Sequence, residues 1–382
     1  MSTATFNAPA QPVRVAADKL FLFLSLFSTA VLVALVLLDG QPASAALIIG
    51  GFGLGIAFVR AEFSYTASWR RFLSKGDAGG LIGGLIVIAI AAVAVVPVAA
   101  LFPHYGGAIA PLGPSLVVGA FTFGIGMQLA NGCGSGTLYT AGSGSGRMLI
   151  ALAGFIVGSV FGSLSLPSFL ALGGVDPILA SDYLGAWGGL AATLLSIAAA
   201  AALFAFVAKR CRANFMPSRN YIIGGIAIGL LSIFVFAAGG HPWSVTFGYT
   251  VWGAKIASAL GYDFSNAPFW QWPGPRHALN DSILSDTSSL TDLGLLLGAM
   301  AAAAAAKPFA AQNWPPAKSL IAAALGGLIM GWGARLGFGC NIGAFVGGVA
   351  SGSLHGWLWF ACALPGCWVG LQVRPLFGLS KD

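Results

Sequence analysis

The sequence predicts an all-α, polytopic integral membrane protein: an inverted-repeat helical bundle with re-entrant or broken half-helices. Three observations carry that prediction. Hydrophobic residues make up 57 % of the 382 positions and charged residues only 8 %, whereas a soluble domain carries about 25 % charged residues. A water-facing surface cannot be assembled from this stock, and 11 Trp with 27 Phe would not stay solvated as a disordered chain. The apolar runs are long and continuous, which selects helices over the short alternating segments of a β-barrel. Finally, the chain matches itself around two cysteines, Cys133 and Cys340.

Taken in order, residues 1–17 are polar or small and read as a disordered stretch within a cytoplasmic tail, 1–19. The run 20–38 is long enough to span a bilayer at about 1.5 Å per residue. Ala43-Ser44-Ala45 resembles a cleavage site, but the apolar stretch before it is too long for a signal peptide, so it reads as an uncleaved first helix. Further apolar stretches follow at 45–59, 79–101, 114–131, 148–170, 187–208, 221–238, 244–260, 293–306, 319–337 and 356–373. They divide into a first transmembrane half (20–208), a basic linker (209–220), a second half (221–373) and a C-terminal tail (374–382).

Lys and Arg gather at 14–19, 60–75, 209–219, 307–318 and 374–381, while the segments holding Asp39, His104, Asp176 and Asp182 are almost free of them. The positive-inside rule then puts both termini and the 209–219 loop in the cytoplasm, with the chain multi-pass in the plasma (inner) membrane. Cytoplasmic-loop bias accounts for the net charge of +7, so no nucleic-acid partner is implied. Parity requires that 244–260 be a re-entrant half-helix rather than a crossing, since Lys307 and Lys318 otherwise fall outside. The polar-rich segment 62–72 is its counterpart on the inner side. Non-helical backbone at membrane depth is tolerated only where it lines a cavity or is buried in protein.

The self-match runs without gaps from Gly119 and from Gly326. Gly119, Gly124, Gly126, Leu129, Gly132, Cys133 and Gly136 recur as Gly326, Gly331, Gly333, Leu336, Gly339, Cys340 and Gly343, seven identities in 18 positions. Glycine matches are cheap in a chain with 55 of them; the Gly-Cys pair at equal spacing carries the weight. The topology gives the two copies opposite senses, and inverted repeats place a substrate site near the midplane at discontinuous helices. Cys133 and Cys340 would then face each other. The plainer alternative is that Gly-x-Gly packs helices and buried Cys acts as a small hydrophobe, but packing alone requires no cysteine at both equivalent breaks.

These residues resemble the YeeE/YedE family of sulfur-compound transporters. The resemblance covers about 51–370 and is carried by Gly-Met-Gln-Leu-Ala-Asn-Gly-Cys133 and Gly-Ala-Arg335-Leu-Gly-Phe-Gly-Cys340. Pro242-Trp243-Ser-Val-Thr246-Phe-Gly248, Trp252-Gly253-Ala-Lys255 and Ser353-Leu-His-Gly356-Trp357 support it. It implies a transporter, not an enzyme, that takes thiosulfate or a similar small sulfur anion into the cytoplasm between cysteines at the constriction of an hourglass. It also implies a separate cytoplasmic sulfur carrier of the TusA type as partner. The family pattern has a third cysteine in Arg-x-x-Phe-Cys; here Arg60-Ala-Glu-Phe63-Ser64 puts serine in that place, leaving two thiols and a hydroxyl.

The chemistry suits an anion path. Neutral thiols donate weak hydrogen bonds without repelling an anion, and weak contacts allow release as well as capture. Helix N-termini supply partial positive charge, and Gly132, Gly134 and Gly339, with Asn341, let backbone N–H groups approach closely. Arg335 and Lys255 lie inside apolar segments, where ionisable residues are functional candidates; snorkelling is the alternative for each. Proton coupling would call for an acid at depth, for which the sequence offers Glu62. Arg147, after Gly142-Ser-Gly-Ser-Gly146, is expected to reach inner headgroups, and 262–291, with Trp270 and Trp272, to form an outer cap with interfacial anchors. Cys211 reads as an exposed thiol, Cys362 and Cys367 as packing residues. Five scattered cysteines and four isolated histidines imply neither a disulfide framework nor a metal or other cofactor. The runner-up readings are a transporter of a selenium or sulfide-type compound and, further off, a membrane thiol oxidoreductase. No Cys-x-x-Cys pair is present to support the latter.

Overall fold

A computed structural model describes residues 12–306 and 315–381, with side chains from Asp18 onward. Among these, ten helical runs are long and apolar enough to cross a bilayer, so the chain is an all-α, multi-pass membrane protein. In chain order the helices are α1 (Pro12–Leu38), α2 (Pro42–Ala61), α3 (Tyr65–Lys75), α4 (Gly79–Leu101), α5 (Pro114–Ala130), α6 (Gly134–Gly142), α7 (Gly146–Leu170) and α8 (Ala180–Arg210). The second half holds α9 (Arg219–Gly239), α10 (Thr246–Ala259), α11 (Pro273–Asn280), α12 (Thr287–Ala306), α13 (Ala317–Leu336), α14 (Gly347–Ala350) and α15 (Leu354–Val373). A π-helical turn, Asn341–Val346, precedes α14.

One detail differs from the sequence reading at the start of the chain. The first helix begins at Pro12, inside the expected tail, because proline fits a helix N-terminus and nothing after it breaks the helix. Residues 1–11, Lys307 and Asp382 lie outside the described residues. Helix α3 has 11 residues and α10 has 14, about 17 and 21 Å at the helical rise, short of the roughly 30 Å hydrocarbon core. Both are half-helices, as the parity of the sequence requires.

Glycine sets the helix contacts, since a missing Cβ lets backbones approach. Helices α5 and α13 run antiparallel, with Gly119 against Gly333 and Gly337, and Gly126 against Gly326 and Met330. Helix α15 lies parallel to α5 through Gly366 on Phe121 and Gly370 on Ile125. Helix α7 lies parallel to α13 through Gly154 on Ala324 and Gly162 on Trp332. The same scheme recurs elsewhere. Helices α2 and α9 are antiparallel (Gly224 on Ala61, Gly239 on Leu47). Helix α12 is parallel to α2 (Gly294 on Ile48) and α4 to α9 (Gly229 on Ile90).

The basic clusters at 60–75 and 209–219, with Arg147 and Arg374, share one face, while Lys255, Arg276 and Arg335 lie toward the other. Gly76 and Gly79 pack on Cys211 and Met216, Arg70 donates to Asn131 Oδ1 at 2.5 Å, and Arg147 donates to Ser319 Oγ at 2.9 Å. The opposite face is closed by loops at 102–113, 171–179, 240–245 and 351–353. There Gly106 N–H donates to Gly240 O, Leu112 to Val175 O and Ala180 to Gly352 O. The 262–286 cap is built from α11 and two 3₁₀ turns. Trp270 in it is buried rather than interfacial, 1 % exposed, with its indole N–H on Ser163 Oγ at 3.0 Å. It fills a satellite cluster with Leu166, Ala254 and Phe264.

Candidate functional site

Each self-matching segment ends its helix in the same way. Helix α5 stops at Asn131, whose backbone is left-handed (φ 64°); 207 positions on, Phe338 is left-handed too (φ 59°). A side-chain amide tolerates that conformation; a phenyl does so only where the surroundings impose it. Gly339 follows with φ +151°, and a Cβ there would lie 2.7 Å from Ala344 N, so only glycine fits. The chain then reverses into a new N-terminus at each cysteine. Cys133 caps α6, its sulfur accepting the Gly136 N–H at 3.3 Å. Cys340 caps the π turn, accepting the Ile342 N–H at 3.4 Å. Such turns concentrate at functional sites.

The structure brings the two cysteines together. A Cβ on Gly134 would lie 2.9 Å from the Cys340 sulfur, and one on Gly136 3.2 Å from that of Cys133. Both residues are buried, at 2 % and 0 % exposure, and all five cysteines are free. Two helix N-termini thus converge on the thiols. Around them lie Tyr65 and Thr66 of α3, and Tyr249 of α10, whose hydroxyl donates to Gly134 O at 3.1 Å. Both tyrosines are within electrostatic reach of both thiols. Several polar atoms here have no hydrogen-bond partner: the Tyr65 and Thr66 hydroxyls, Thr137 Oγ1, and both amide atoms of Asn341. Buried polar groups are nearly always paired, and each one left unpaired costs about 1–3 kcal/mol. A concentration of them beside two thiols marks a site shaped for something other than packing.

A vestibule opens on each side of the thiols. The one toward the basic face, about 490 Å³, is lined by Arg60, Glu62, Ala67, Arg71, Asp77 and Tyr221 among others. The one toward the opposite face, about 360 Å³, reaches Trp243, Ser244 and Gly343, with Arg335, His241 and His355 in its wall. Neither cavity reaches a sulfur: the thiols stand in the partition between them.

The remaining predicted residues divide. Ser64 caps α3, its Oγ accepting the Ala67 N–H at 3.2 Å, and its backbone is clamped by the Tyr221 hydroxyl, which lies 2.8 Å from Ser64 N and 3.0 Å from its carbonyl oxygen. It sits at the edge of the basic-face vestibule, next to Thr66. Gly132 and Gly134 flank Cys133 in the partition. Arg335 lines the opposite vestibule; its guanidinium lies 5.7 and 5.5 Å from the rings of Phe247 and Phe269, and Nε and Nη1 have no hydrogen-bond partner. Lys255 is not brought to the thiols. Its ammonium donates to Leu279 O at 2.8 Å and Asp281 O at 2.5 Å, because it lies in the last turns of α10 and satisfies the carbonyls at the end of α11.

Arg147 does not reach outward to headgroups either. It turns back to donate to Leu129 O at 2.8 Å and to Ala130 O, and Arg374 donates to Gln128 O at 2.5 Å. With Arg70 on Asn131, three guanidiniums close the negative end of α5. Glu62, the acid offered for depth, is exposed at the left-handed end of α2 (φ 49°). The acid that is at depth is Asp292, at 0 % exposure. The sequence reading passed over it and over the two tyrosines. A second internal match signals the latter: Phe63-Ser64-Tyr65-Thr66 recurs as Phe247-Gly248-Tyr249-Thr250, placing a Tyr-Thr step on each half-helix.

Comparison with known proteins agrees with this geometry. Residues 60–369 match the family described as Sulphur transport. The probable transporter YedE of Escherichia coli K12 is 33 % identical over 154 residues, 40 % of this chain and 37 % of its own length. The thiosulfate transporter TsuA of the same organism is 26 % identical over 352 residues, 86 % of this chain and 94 % of that one. The TsuA of Spirochaeta thermophila is 28 % identical over 261 residues, 63 % and 72 % of the two chains. A multi-pass helical bundle with paired cysteines in the partition between two vestibules, matched over four-fifths of its length, belongs to the sulphur-transport (YeeE/YedE) family of membrane transporters.

Proposed function

We propose that this chain imports thiosulfate or a similar small sulfur-containing anion into the cytoplasm, passing it between Cys340 and Cys133. The observation that carries the reading is the placement of two free thiols, each capping a broken helix, in the partition between two vestibules. The name thiosulfate transporter on two relatives supplies the substrate. The basic face is cytoplasmic on the positive-inside rule, so the anion enters past Arg335, His241 and His355 and leaves past Ser64, Tyr221 and Arg71.

The paired packings α2/α9 and α5/α13, each antiparallel, support reading the two halves as inverted repeats. Arg335 draws the anion into the vestibule, and its unpaired guanidinium N–H groups are free to bind it. In the partition, S–H groups, the Asn341 amide and the Tyr65 and Thr66 hydroxyls replace water of hydration one contact at a time. Neutral donors hold an anion loosely enough to release it. The N-termini of α6 and the π turn offset its charge. A TusA-type carrier is the partner proposed at the cytoplasmic mouth.

The test is growth of a bacterial strain lacking its own thiosulfate and sulfate uptake, with thiosulfate as sole sulfur source. The chain restores growth. Cys133→Ala and Cys340→Ala, present in the membrane at wild-type levels, do not. Normal growth of both variants would remove the thiol path.

A further inference from the structure

One buried ionisable group has no part in the path just described. Asp292 lies in the second turn of α12, fully buried, and neither carboxylate oxygen has a hydrogen-bond partner. Its position is built: Gly248 of α10 approaches so closely that a Cβ there would lie 2.6 Å from Oδ2. Tyr249, the next residue, is within electrostatic reach of Asp292 and donates to Gly134 O beside both thiols. Cys340 is within reach of it as well. Thr287, Ser288 and Thr291 of the same helix line the vestibule on the Arg335 side, so water comes within about a turn of the carboxyl.

The other ionisable groups facing Asp292 do not neutralise it. Asp286, at the N-terminus of α12, is a like charge and has partners of its own, Ser289 N at 2.7 Å and Ser289 Oγ at 2.6 Å. Lys255 of α10 is held by Leu279 O and Asp281 O. Helix α6 brings Tyr139, whose hydroxyl donates to Phe63 O at 3.1 Å. Of the described charged side chains of α1 and α2, Asp18 and Lys19 lie within the first eight residues of α1 and Arg60 in the last turn of α2.

An ionised carboxylate with no partner at this depth is costly, and it would repel an anion held at Cys340. The neutral acid does neither. We propose that Asp292 is a proton-binding residue that couples anion import to proton entry: it takes a proton from the Arg335-side vestibule, is neutral while the anion occupies the thiol partition, and gives the proton up toward the cytoplasm as the anion leaves. Proton and anion each favour the binding of the other, and that linkage is reciprocal. The coupling also has an energetic purpose. A dianion entering a negative-inside cell works against about 2.3 kcal/mol per charge for each 100 mV, and a proton entering with it offsets one charge.

The proposal rests on the reading of the chain as an importer of a sulfur anion, and the experiment separates the two. Purified full-length protein is reconstituted in liposomes with radiolabelled thiosulfate and the membrane potential clamped at zero. Exchange of label between equal concentrations inside and out, with no gradient, tests the substrate alone; no exchange by the wild type overturns both readings. An inside-alkaline gradient of one pH unit then tests coupling: about tenfold accumulation is expected per coupled proton, a pH unit being tenfold in proton activity. A trapped pH dye should report internal acidification when thiosulfate is added outside. Asp292→Asn should keep exchange but accumulate no label and give no dye signal, and Asp292→Glu should restore both in part. A wild type that exchanges thiosulfate without accumulating it or moving protons overturns the coupling, and that arm needs no folded variant. So does an Asp292→Asn protein that accumulates label as the wild type does, or one that loses exchange together with accumulation.

Discussion

At the scale of single residues the partition is under-satisfied and tightly fitted, and these properties make opposite predictions. Asn341 is fully buried with an unpaired amide on both atoms, a cost of about 1–3 kcal/mol that a side chain of similar volume and no polarity avoids. Asn341→Leu should therefore raise the thermal unfolding temperature of the detergent-solubilised protein while lowering thiosulfate uptake severalfold or more. A variant that loses stability and keeps uptake would mean the amide serves the fold. Gly134 is the opposite case. A methyl group there would press on the Cys340 sulfur at 2.9 Å, and overpacking costs about 1–3 kcal/mol. Gly134→Ala should displace the thiol and reduce uptake about tenfold, measured as initial rate at matched membrane content.

At the scale of elements, the half-helices α3 and α10 and the two broken segments do what full spans cannot: they end inside the protein and turn N-termini and side chains toward one point. Much of this was legible. Lipid leaves no freedom in the length and polarity of a span, so the crossings, and the one segment that must not cross, follow from apolar runs and basic clusters. The cysteine breaks were legible because a reactive, uncommon residue recurs at equal spacing. Asp292 was not. It sits where the polar stretch Thr287-Ser-Ser-Leu-Thr-Asp292 meets the apolar run at 293, and such a stretch reads as a loop; only the packing of α10 against it shows that these first two turns of α12 are buried. The placement of Lys255 was not legible for a related reason, since hydropathy does not tell which way the end of a half-helix turns. Ser64 remains the departure from the family pattern, and α3 says what cysteine would do there. Its Oγ caps α3 through Ala67 N, and thiols already cap the two broken segments at 3.3 and 3.4 Å. Ser64→Cys should accordingly fold normally and retain or increase thiosulfate uptake; abolished uptake would mean that the hydroxyl serves a different substrate. Ser64→Ala removes the cap and should destabilise α3 by about 1 kcal/mol.

At the scale of the whole molecule, the bundle that packs α2 on α9 and α5 on α13 leaves one vestibule on each side of a sealed partition, and the sidedness of access follows from it. Ser244 lines the cavity reached from the Arg335 side, and Ala67 the cavity reached from the basic face; both are partly exposed. Neither cavity touches Cys133 or Cys340. In a background where the accessible thiols Cys211 and Cys362 are serine, a membrane-impermeant thiol reagent should modify Ser244→Cys in intact cells and leave Ala67→Cys untouched. In inverted membrane vesicles the pattern should reverse. The native pair should react slowly from either side, being held in the partition by helix ends rather than lining open water. Labelling of both introduced cysteines from one side would place the two cavities on the same face and overturn the proposed path across the membrane. Rapid labelling of Cys340 in intact cells without substrate would show an open pore instead of a partition, in which case the thiols could not act as a selective step. The predicted pattern has one consequence for the proposed mechanism: an anion on this path is dehydrated only between Gly343 and Ala67, where the two cavities end, so broken helices need to supply their N-terminal charge only there.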